Sequence, residues 1–177
     1  MALWGIGDLH LSFEANKPMD VFGGAWEGYV DKLREGLSVI GPEDTTVLLG
    51  DLSWSMDLGH AAQDFSFINA IPGRKIILKG NHDYWWSTAR KFYDFCEAHG
   101  FRDMWILNNN CWLYEDTAIC GTRGWFYEED RHGVHDEKVF RRELMRLETS
   151  LRAAGDREKL CFLHYPPRFG AYRCQEI

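Results

Sequence analysis

Short apolar runs recur along the chain, and polar residues follow them directly. Four of these runs are four or five residues long and lie at residues 2–6, 45–49, 75–78 and 159–163. Continuous apolar runs of this length are typical of strands buried on both faces of a parallel sheet. We therefore predict four such strands in a fold of the α/β class.

Longer segments between these runs carry apolar residues at helical spacing. The first such stripe, which stops before a Gly-Pro pair, consists of Trp26, Val30, Leu33, Leu37 and Ile40. The second consists of Phe140, Leu144, Leu147 and Leu151. Its helix is predicted to begin near Asp136 as N-cap and to end near Gly155. A further helix is predicted over residues 88–99, so helices separate the predicted strands.

Three more strand-like runs follow in the middle of the chain, at residues 104–107, 111–114 and 117–120. The segments between them are short and polar, as is typical of tight turns. This pattern predicts a three-stranded antiparallel meander. The sheet is therefore expected to be mixed, not purely parallel.

Metal-type ligands follow each of the four apolar runs. The motifs are Gly7-Asp8-Leu9-His10, Gly50-Asp51, Gly80-Asn81-His82-Asp83 and a lone His164. Side chains at the carboxyl ends of neighbouring strands converge on one edge of a sheet. In an extended chain Asp8 and His10 would point the same way, so that one metal could take both. Each motif alone is also common turn chemistry, but the four in order predict a ligand site.

This ordered set resembles the calcineurin-like metallophosphoesterase superfamily, whose pattern runs D-x-H, G-D, G-N-H-[DE], a lone His and then G-H-x-H. The resemblance implies an α/β/β/α sandwich with mixed sheets, formed by residues 1–177 as a single domain. It implies that Asp8 and His10 hold one metal ion. Asp51 would bridge both ions, and Asn81 and His164 would hold the second.

The resemblance also implies catalytic roles for two residues of the third motif. His82 would be the acid near the leaving group, and Asp83 would orient it. An alternative is that His82 only supports the metal site, because histidines beside metals are often orienting groups. Since an adjacent carboxylate favours the protonated imidazole, both roles stay open.

The chain departs from the superfamily pattern at two places. No Gly-His-x-His follows His164, so we expect a C-terminally shortened domain that lacks its last strands and its last metal ligands. Trp54 stands where a further aspartate is expected after Asp51. These departures leave a second interpretation open, in which the chain is a metal-binding or regulatory module without competent catalysis.

The leading hypothesis is a phosphomonoesterase or phosphodiesterase that uses a metal-bound hydroxide. Two divalent ions about 4 Å apart can bind substrate oxygens and generate that nucleophile near neutral pH. Oxygen and imidazole ligands suit manganese, iron(II), zinc or magnesium, and the sequence does not choose among them. The predicted partner is a small phosphate ester.

Other residues near the motifs are candidates for substrate contact. Trp54 and Trp86 could wall a pocket, although ordinary packing is the alternative for both. Arg123 follows a strand and could hold phosphate oxygens, or it could form a surface salt bridge. His132 and His135 have a chelating spacing, but they lie in a highly charged stretch that we predict to be a solvated loop.

Composition narrows the class of partner. A net charge of −7 and a pI near 5.5 argue against a broad interface with a phosphate backbone, and a nuclease remains a minority alternative. No apolar run approaches the ~20 residues of a membrane span, and no signal peptide is recognisable. We therefore expect a cytoplasmic protein without membrane partners, whose oligomeric state the sequence does not predict.

Overall fold

The computed structural model describes residues 1–15, 17, 19–126 and 133–177. These residues form two compact units. The first comprises residues 1–77 and 81–106, and the second comprises residues 78–80 and 107–177. Within the described part of the chain, no helix combines the length and the apolar character that a bilayer span requires.

A four-stranded parallel sheet organises the first unit. Its strands, in both chain order and sheet order, are β1 (Leu3–Ile6), β2 (Thr45–Leu48), β3 (Arg74–Ile77) and β4 (Met104–Ile106). The three strands predicted before the first three motifs are thus confirmed to within one residue. Strand β2 is buried throughout, as predicted, because it lies inside the sheet. Strand β1 is only partly buried, since it forms an edge, and the prediction of burial on both faces is wrong there.

The described part of the first unit contains three α-helices: α1 (Tyr29–Leu37), α2 (Ala62–Asn69) and α3 (Ala89–His99). Helix α3 is confirmed, with the Thr88 hydroxyl accepting the Lys91 N–H at 3.2 Å as its N-cap. The first predicted stripe forms a shorter helix than expected. Gly28, at φ 61°, separates α1 from a short 3-10 helix at Gly24–Trp26. Helix α2 was not predicted, and its Phe65 is fully buried in the core of this unit.

A smaller mixed sheet organises the second unit. Strands β5 (Trp112–Tyr114) and β6 (Thr117–Thr122) pair antiparallel, and β6 pairs in parallel with β7 (Lys159–Leu163). Helix α4 (Val134–Ala153) lies between β6 and β7 in the chain. A two-residue hairpin of β8 (Arg168–Phe169) and β9 (Tyr172–Arg173) follows.

Several sequence predictions in this region are wrong. The meander does not form, because β4 pairs in parallel with β3 and only β5 and β6 form a hairpin. Strand β7 is confirmed in extent but is exposed over three of its five residues, since it is an edge strand. Helix α4 begins after Gly133 and not at Asp136, whose carboxylate accepts the Trp125 indole N–H at 3.1 Å. His135 lies in the first turn of α4 and not in a loop, while His132 is outside the described residues.

Candidate metal centre

The loops that leave β1 and β2 run side by side beyond the ends of their strands. The backbone N–H of Asp8 donates to the Gly50 carbonyl at 2.9 Å, and the N–H of His10 donates to the Asp51 carbonyl at 2.9 Å. These hydrogen bonds extend the strand pairing into the first two motifs. They therefore bring together three of the predicted metal ligands.

All three of these ligands have a left-handed backbone. Asp8, His10 and Asp51 have φ values of 56°, 46° and 53°, a region that residues other than glycine seldom occupy. The chain is therefore not extended at Asp8 and His10, which was the condition for their side chains to point the same way. Backbone strain of this kind persists only where surrounding contacts enforce it, and it concentrates at functional sites.

The side chains of these residues offer a donor set that suits a divalent cation. His10 Nε2 and a carboxylate oxygen of Asp8 are 3.5 Å apart. A carboxylate oxygen of Asp8 and one of Asp51 lie within 4.8 Å of each other. Metal–ligand bonds near 2 Å put neighbouring donors about 3 Å apart, so only small shifts would let these groups share ions. Two carboxylates and an imidazole fit manganese, iron(II), zinc or magnesium.

The third motif holds the second one in place. The backbone N–H of His82 donates to Asp51 Oδ1 at 2.7 Å. The fully buried Asp83 carboxylate accepts the backbone N–H groups of Asp51 and Leu52, each at 2.8 Å. It also accepts the Trp85 indole N–H at 2.8 Å. Asp83 is thus a positioning residue for the Asp51 loop, and its predicted action on His82 stays a prediction.

Two further residues of the third motif have predicted roles at the centre. Asn81 is half-buried directly before His82, and its role as a metal ligand stays a prediction. The His82 ring is half-buried, and its Nδ1 lies 3.2 Å from the Tyr84 hydroxyl. That contact fixes one nitrogen of the ring that we predict to act as the acid.

Trp54 lies against both imidazoles of this region. Its ring stacks on His10 with centroids 4.9 Å apart and an interplanar angle of 20°, and it meets His82 at 4.7 Å. Trp86, the other predicted pocket wall, is partly buried against the apolar core of the first unit. It also contacts Trp85 at 5.5 Å between centroids. The structure therefore brings Trp54 next to the candidate ligands, while the recorded contacts of Trp86 are those of a core residue.

The remaining predicted residues belong to the second unit. His164 follows β7 directly, is half-buried and packs edge-on against Tyr165 at 5.3 Å. Its role as a metal ligand stays a prediction. Arg123, after β6, has a largely buried side chain that forms an ion pair with Glu143 at 3.2 Å. That pair is buried, unlike the surface salt bridge of the alternative interpretation, and substrate contact by Arg123 stays a prediction.

Two supporting residues in the first unit were not predicted. Asp64 on α2 is fully buried and accepts the backbone N–H of Phe13 at 2.9 Å and the Ser53 hydroxyl. It thereby ties the loop after β1 to the loop after β2, and burial raises the pKa of its carboxyl. The Tyr29 hydroxyl donates to the His10 carbonyl at 2.8 Å, and burial likewise raises the pKa of that hydroxyl.

One signal in the sequence could have revealed Asp64. It stands in a helical stripe whose other buried members are Ala61, Phe65 and Ile68. A carboxylate on the buried side of a helix requires partners, and this requirement marks it as a structural or functional residue. Tyr29 gives no comparable signal, because its hydrogen bond depends on where the chain places the His10 carbonyl.

The chain matches one protein family and is similar to solved structures. The family model of the calcineurin-like phosphoesterases matches residues 1–175. No curated protein matches the chain significantly. A solved protein of unknown function from Aquifex aeolicus is 22% identical, with a TM-score of 0.47 over 85% of this chain and 75% of the other. The phosphopantetheinyl hydrolase of Mycobacterium tuberculosis is 12% identical, with a TM-score of 0.52 over 93% of this chain and 68% of the other.

The structural likeness to the mycobacterial hydrolase concerns the fold, and it confirms the predicted α/β fold of the metallophosphoesterase type. The family match covers the motifs from Asp8 to His164. It supports metal-dependent hydrolysis of phosphate esters in general terms. The chain belongs to the calcineurin-like phosphoesterase family.

Proposed function

We propose that this chain hydrolyses small phosphate esters at a dinuclear metal centre. In this proposal Asp8 and His10 would hold one ion, Asp51 would supply oxygens to both, and Asn81 and His164 would contribute to the second. One observation supports this proposal most. The side-chain donor atoms of Asp8, His10 and Asp51 lie close together, and each of these residues has a left-handed backbone.

The chemistry of the reaction requires such a donor set. Divalent ions bound there supply Lewis acidity toward phosphate oxygens and lower the pKa of a coordinated water. Asp8 and Asp51 bring two negative charges, fewer than two divalent ions carry, so the loaded centre attracts an anionic substrate. Asp51 is held firmly for this role because its carboxylate accepts the His82 N–H and its own N–H is bound by Asp83.

His82 is the proton donor to the leaving group in this proposal. The Tyr84 hydroxyl at Nδ1 orients the ring, so Nε2 is the nitrogen that can face the departing oxygen. Trp54 supports the ring from its side at 4.7 Å. A fixed imidazole of this kind contributes most when the leaving group is a poor one.

The experiment that tests the proposal uses the purified chain with added manganese. We expect manganese-dependent hydrolysis of p-nitrophenyl phosphate or of bis(p-nitrophenyl) phosphate. The Asp51→Asn variant should lose more than about 100-fold in kcat/KM, because it removes the bridging charge. The matched control is Asp57→Asn, which changes an exposed aspartate paired with His60 at 3.0 Å and should leave turnover intact.

The role of His82 has its own test. The His82→Gln variant should lose about 100-fold or more in kcat with phenyl phosphate, whose leaving group needs a proton, and much less with p-nitrophenyl phosphate. Equal losses on both substrates would remove the acid role from His82. Turnover without metal, or an unimpaired Asp51→Asn variant, would overturn the proposed function itself.

A further inference from the structure

Trp54 forms a fixed platform beside the candidate centre. The residue is only 8% exposed, and its indole N–H points at the Met19 sulfur, 3.0 Å away. One imidazole, that of His10, stacks on it, and a second, that of His82, leans against it. The ring therefore has a defined position relative to a predicted metal ligand and to the predicted acid.

An ammonium group lies on this platform. Lys17 Nζ is 3.1 Å from the centroid of a Trp54 ring, well inside the range of a cation–π contact. Lys17 is otherwise an exposed residue, and its backbone N–H donates to the Ala15 carbonyl at 2.7 Å. Among the residues that the structure describes, no carboxylate forms an ion pair with this ammonium group. Its charge is therefore positioned by the indole face of Trp54, a residue that also contacts His10 and His82.

We propose that Lys17, held against Trp54, binds a non-bridging phosphate oxygen of the substrate and favours phosphomonoesters over phosphodiesters. The assignment rests on the proposed function. A lysine ammonium offers three N–H donors, which neither the carboxylates nor the indole of this site can provide to an anion. Hydrogen bonds between charged partners are the stronger class, so one such contact can decide between related substrates.

The preference for monoesters follows from charge. A phosphomonoester carries a third terminal oxygen and a second negative charge, whereas in a diester that oxygen is esterified. A cation placed beside the centre gains more from the dianion than from the monoanion. A diester would also put an uncharged ester group where Lys17 offers its N–H donors, which leaves the donors unpaired.

The alternative role for Lys17 is only to fasten its loop to Trp54. The two roles differ in what they change. If Lys17 only holds its segment against Trp54, its replacement would lower stability and would change kcat/KM for monoesters and diesters by the same factor. A phosphate ligand would change the ratio of kcat/KM between a monoester and a diester, and would change the affinity for inorganic phosphate.

The test compares Lys17→Met with Lys17→Arg in the manganese-loaded chain. Lys17→Met should lower kcat/KM for p-nitrophenyl phosphate about 10- to 100-fold, with little change for bis(p-nitrophenyl) phosphate. It should weaken the binding of inorganic phosphate, measured by calorimetry, by a similar factor without changing the manganese content. Lys17→Arg keeps the positive charge, so it should retain most of the kcat/KM for p-nitrophenyl phosphate and most of the affinity for inorganic phosphate. The control is Lys91→Met, at an exposed position on α3.

The possible outcomes separate this proposal from the one on which it rests. If the unaltered chain hydrolyses both esters and Lys17→Met leaves their ratio and the phosphate affinity unchanged, the assignment of Lys17 fails and the hydrolase function stands. Equal losses on both esters with unchanged phosphate affinity would also overturn it. If the manganese-loaded, unaltered chain neither turns over an ester nor binds phosphate, the proposed function fails and this assignment fails with it.

Discussion

Both units bury carboxylates, and Asp83 of the first unit differs from Glu143 of the second in its hydrogen-bond partners. In the first unit Asp83 is fully buried and accepts two backbone N–H groups and an indole N–H. In the second unit Glu143, only 2% exposed, accepts the Thr122 hydroxyl at 2.6 Å and bonds two guanidinium groups, those of Arg123 at 3.2 Å and Arg146 at 2.7 Å.

The difference shows why a buried acid is not by itself a sign of a metal site. Glu143 is neutralised by cations of its own chain, so its surroundings do not demand another positive charge. The hydrogen bonds described here for Asp83 come from neutral donors, and two of these donors belong to the loop of Asp51, a candidate metal ligand. The hydrogen bonds of Glu143 connect helix α4 to strand β6, whereas those of Asp83 position the loop that carries Asp51.

The largest expected effect comes from removing the Asp83 carboxylate. Asp83→Ala leaves three buried N–H donors without their acceptor, at about 1 to 3 kcal/mol each, so we expect a loss of at least about 3 kcal/mol in the free energy of unfolding. Manganese binding should fall as well, because the Asp51 loop loses its anchor. Urea unfolding and elemental analysis measure the two effects.

A conservative variant and a control variant accompany that prediction. Asp83→Asn keeps one acceptor oxygen and should remain folded while it still binds manganese less well. The control Asp94→Ala removes an exposed carboxylate that pairs with Arg90 on α3, and it should change stability by less than about 0.5 kcal/mol. Normal manganese content in both Asp83 variants would show that the anchoring of the Asp51 loop does not matter for metal binding.

The next effect in size is expected in the second unit. Glu143→Gln removes the charge between Arg123 and Arg146, and we expect a loss of about 2 kcal/mol in the free energy of unfolding. Manganese content should stay unchanged, in contrast to the Asp83 variants. Glu148→Gln, an exposed position paired with Arg152, is the matched control. A fall in manganese content in Glu143→Gln would contradict the distinction between Asp83, which supports a candidate metal ligand, and Glu143, which does not.

A smaller effect concerns Asp64, whose pKa is raised by burial above its ordinary value of 3.8. A raised pKa in the folded state means that Asp64 contributes stability at low pH, and that this contribution is lost as pH rises through the folded value. In metal-free protein the stability of the wild type relative to Asp64→Asn should therefore decline as pH increases above 3.8. Urea unfolding across that range gives the comparison, and a constant difference would contradict it.

The smallest effect is expected at Asp44, which accepts N–H hydrogen bonds as Asp83 does but is only half-buried. The backbone N–H of Gly41 is the main cause that lowers the pKa of Asp44, followed by the Trp4 indole and the N–H of Ala2. A lowered pKa contributes stability above 3.8 that is lost as pH falls through the folded value. Asp44→Asn should weaken this acid dependence of the unfolding midpoint, whereas an unchanged dependence would show that solvent screens the interaction completely.

Much of the first unit was predictable because its information is local. The apolar runs before Asp8, Asp51 and Asn81 specify strands whatever their neighbours are, and their parallel order brings the first two motifs together. The Thr88 cap was readable in the same way. The pairing of β4 with β3 was not, since strand partners distant in sequence are chosen by the whole sheet and not by local pattern.

The details of the candidate site were less predictable. Nothing in Asp8-Leu9-His10 indicates a left-handed backbone at both polar residues, because that conformation follows from hydrogen bonds with the loop after β2. The resemblance to the superfamily implies that Asp83 orients His82. In the structure the Asp83 carboxylate also accepts N–H groups from residues 51 and 52, and a motif within one segment does not reveal these contacts.

The most direct test of the account is the metal content of the chain, measured by elemental analysis after purification with manganese. We expect about two manganese ions per chain in the wild type and in the Asp57→Asn control, and a clear loss in Asp51→Asn. One ion or none in the wild type, or an equal number in Asp51→Asn, would contradict a dinuclear centre that Asp51 bridges.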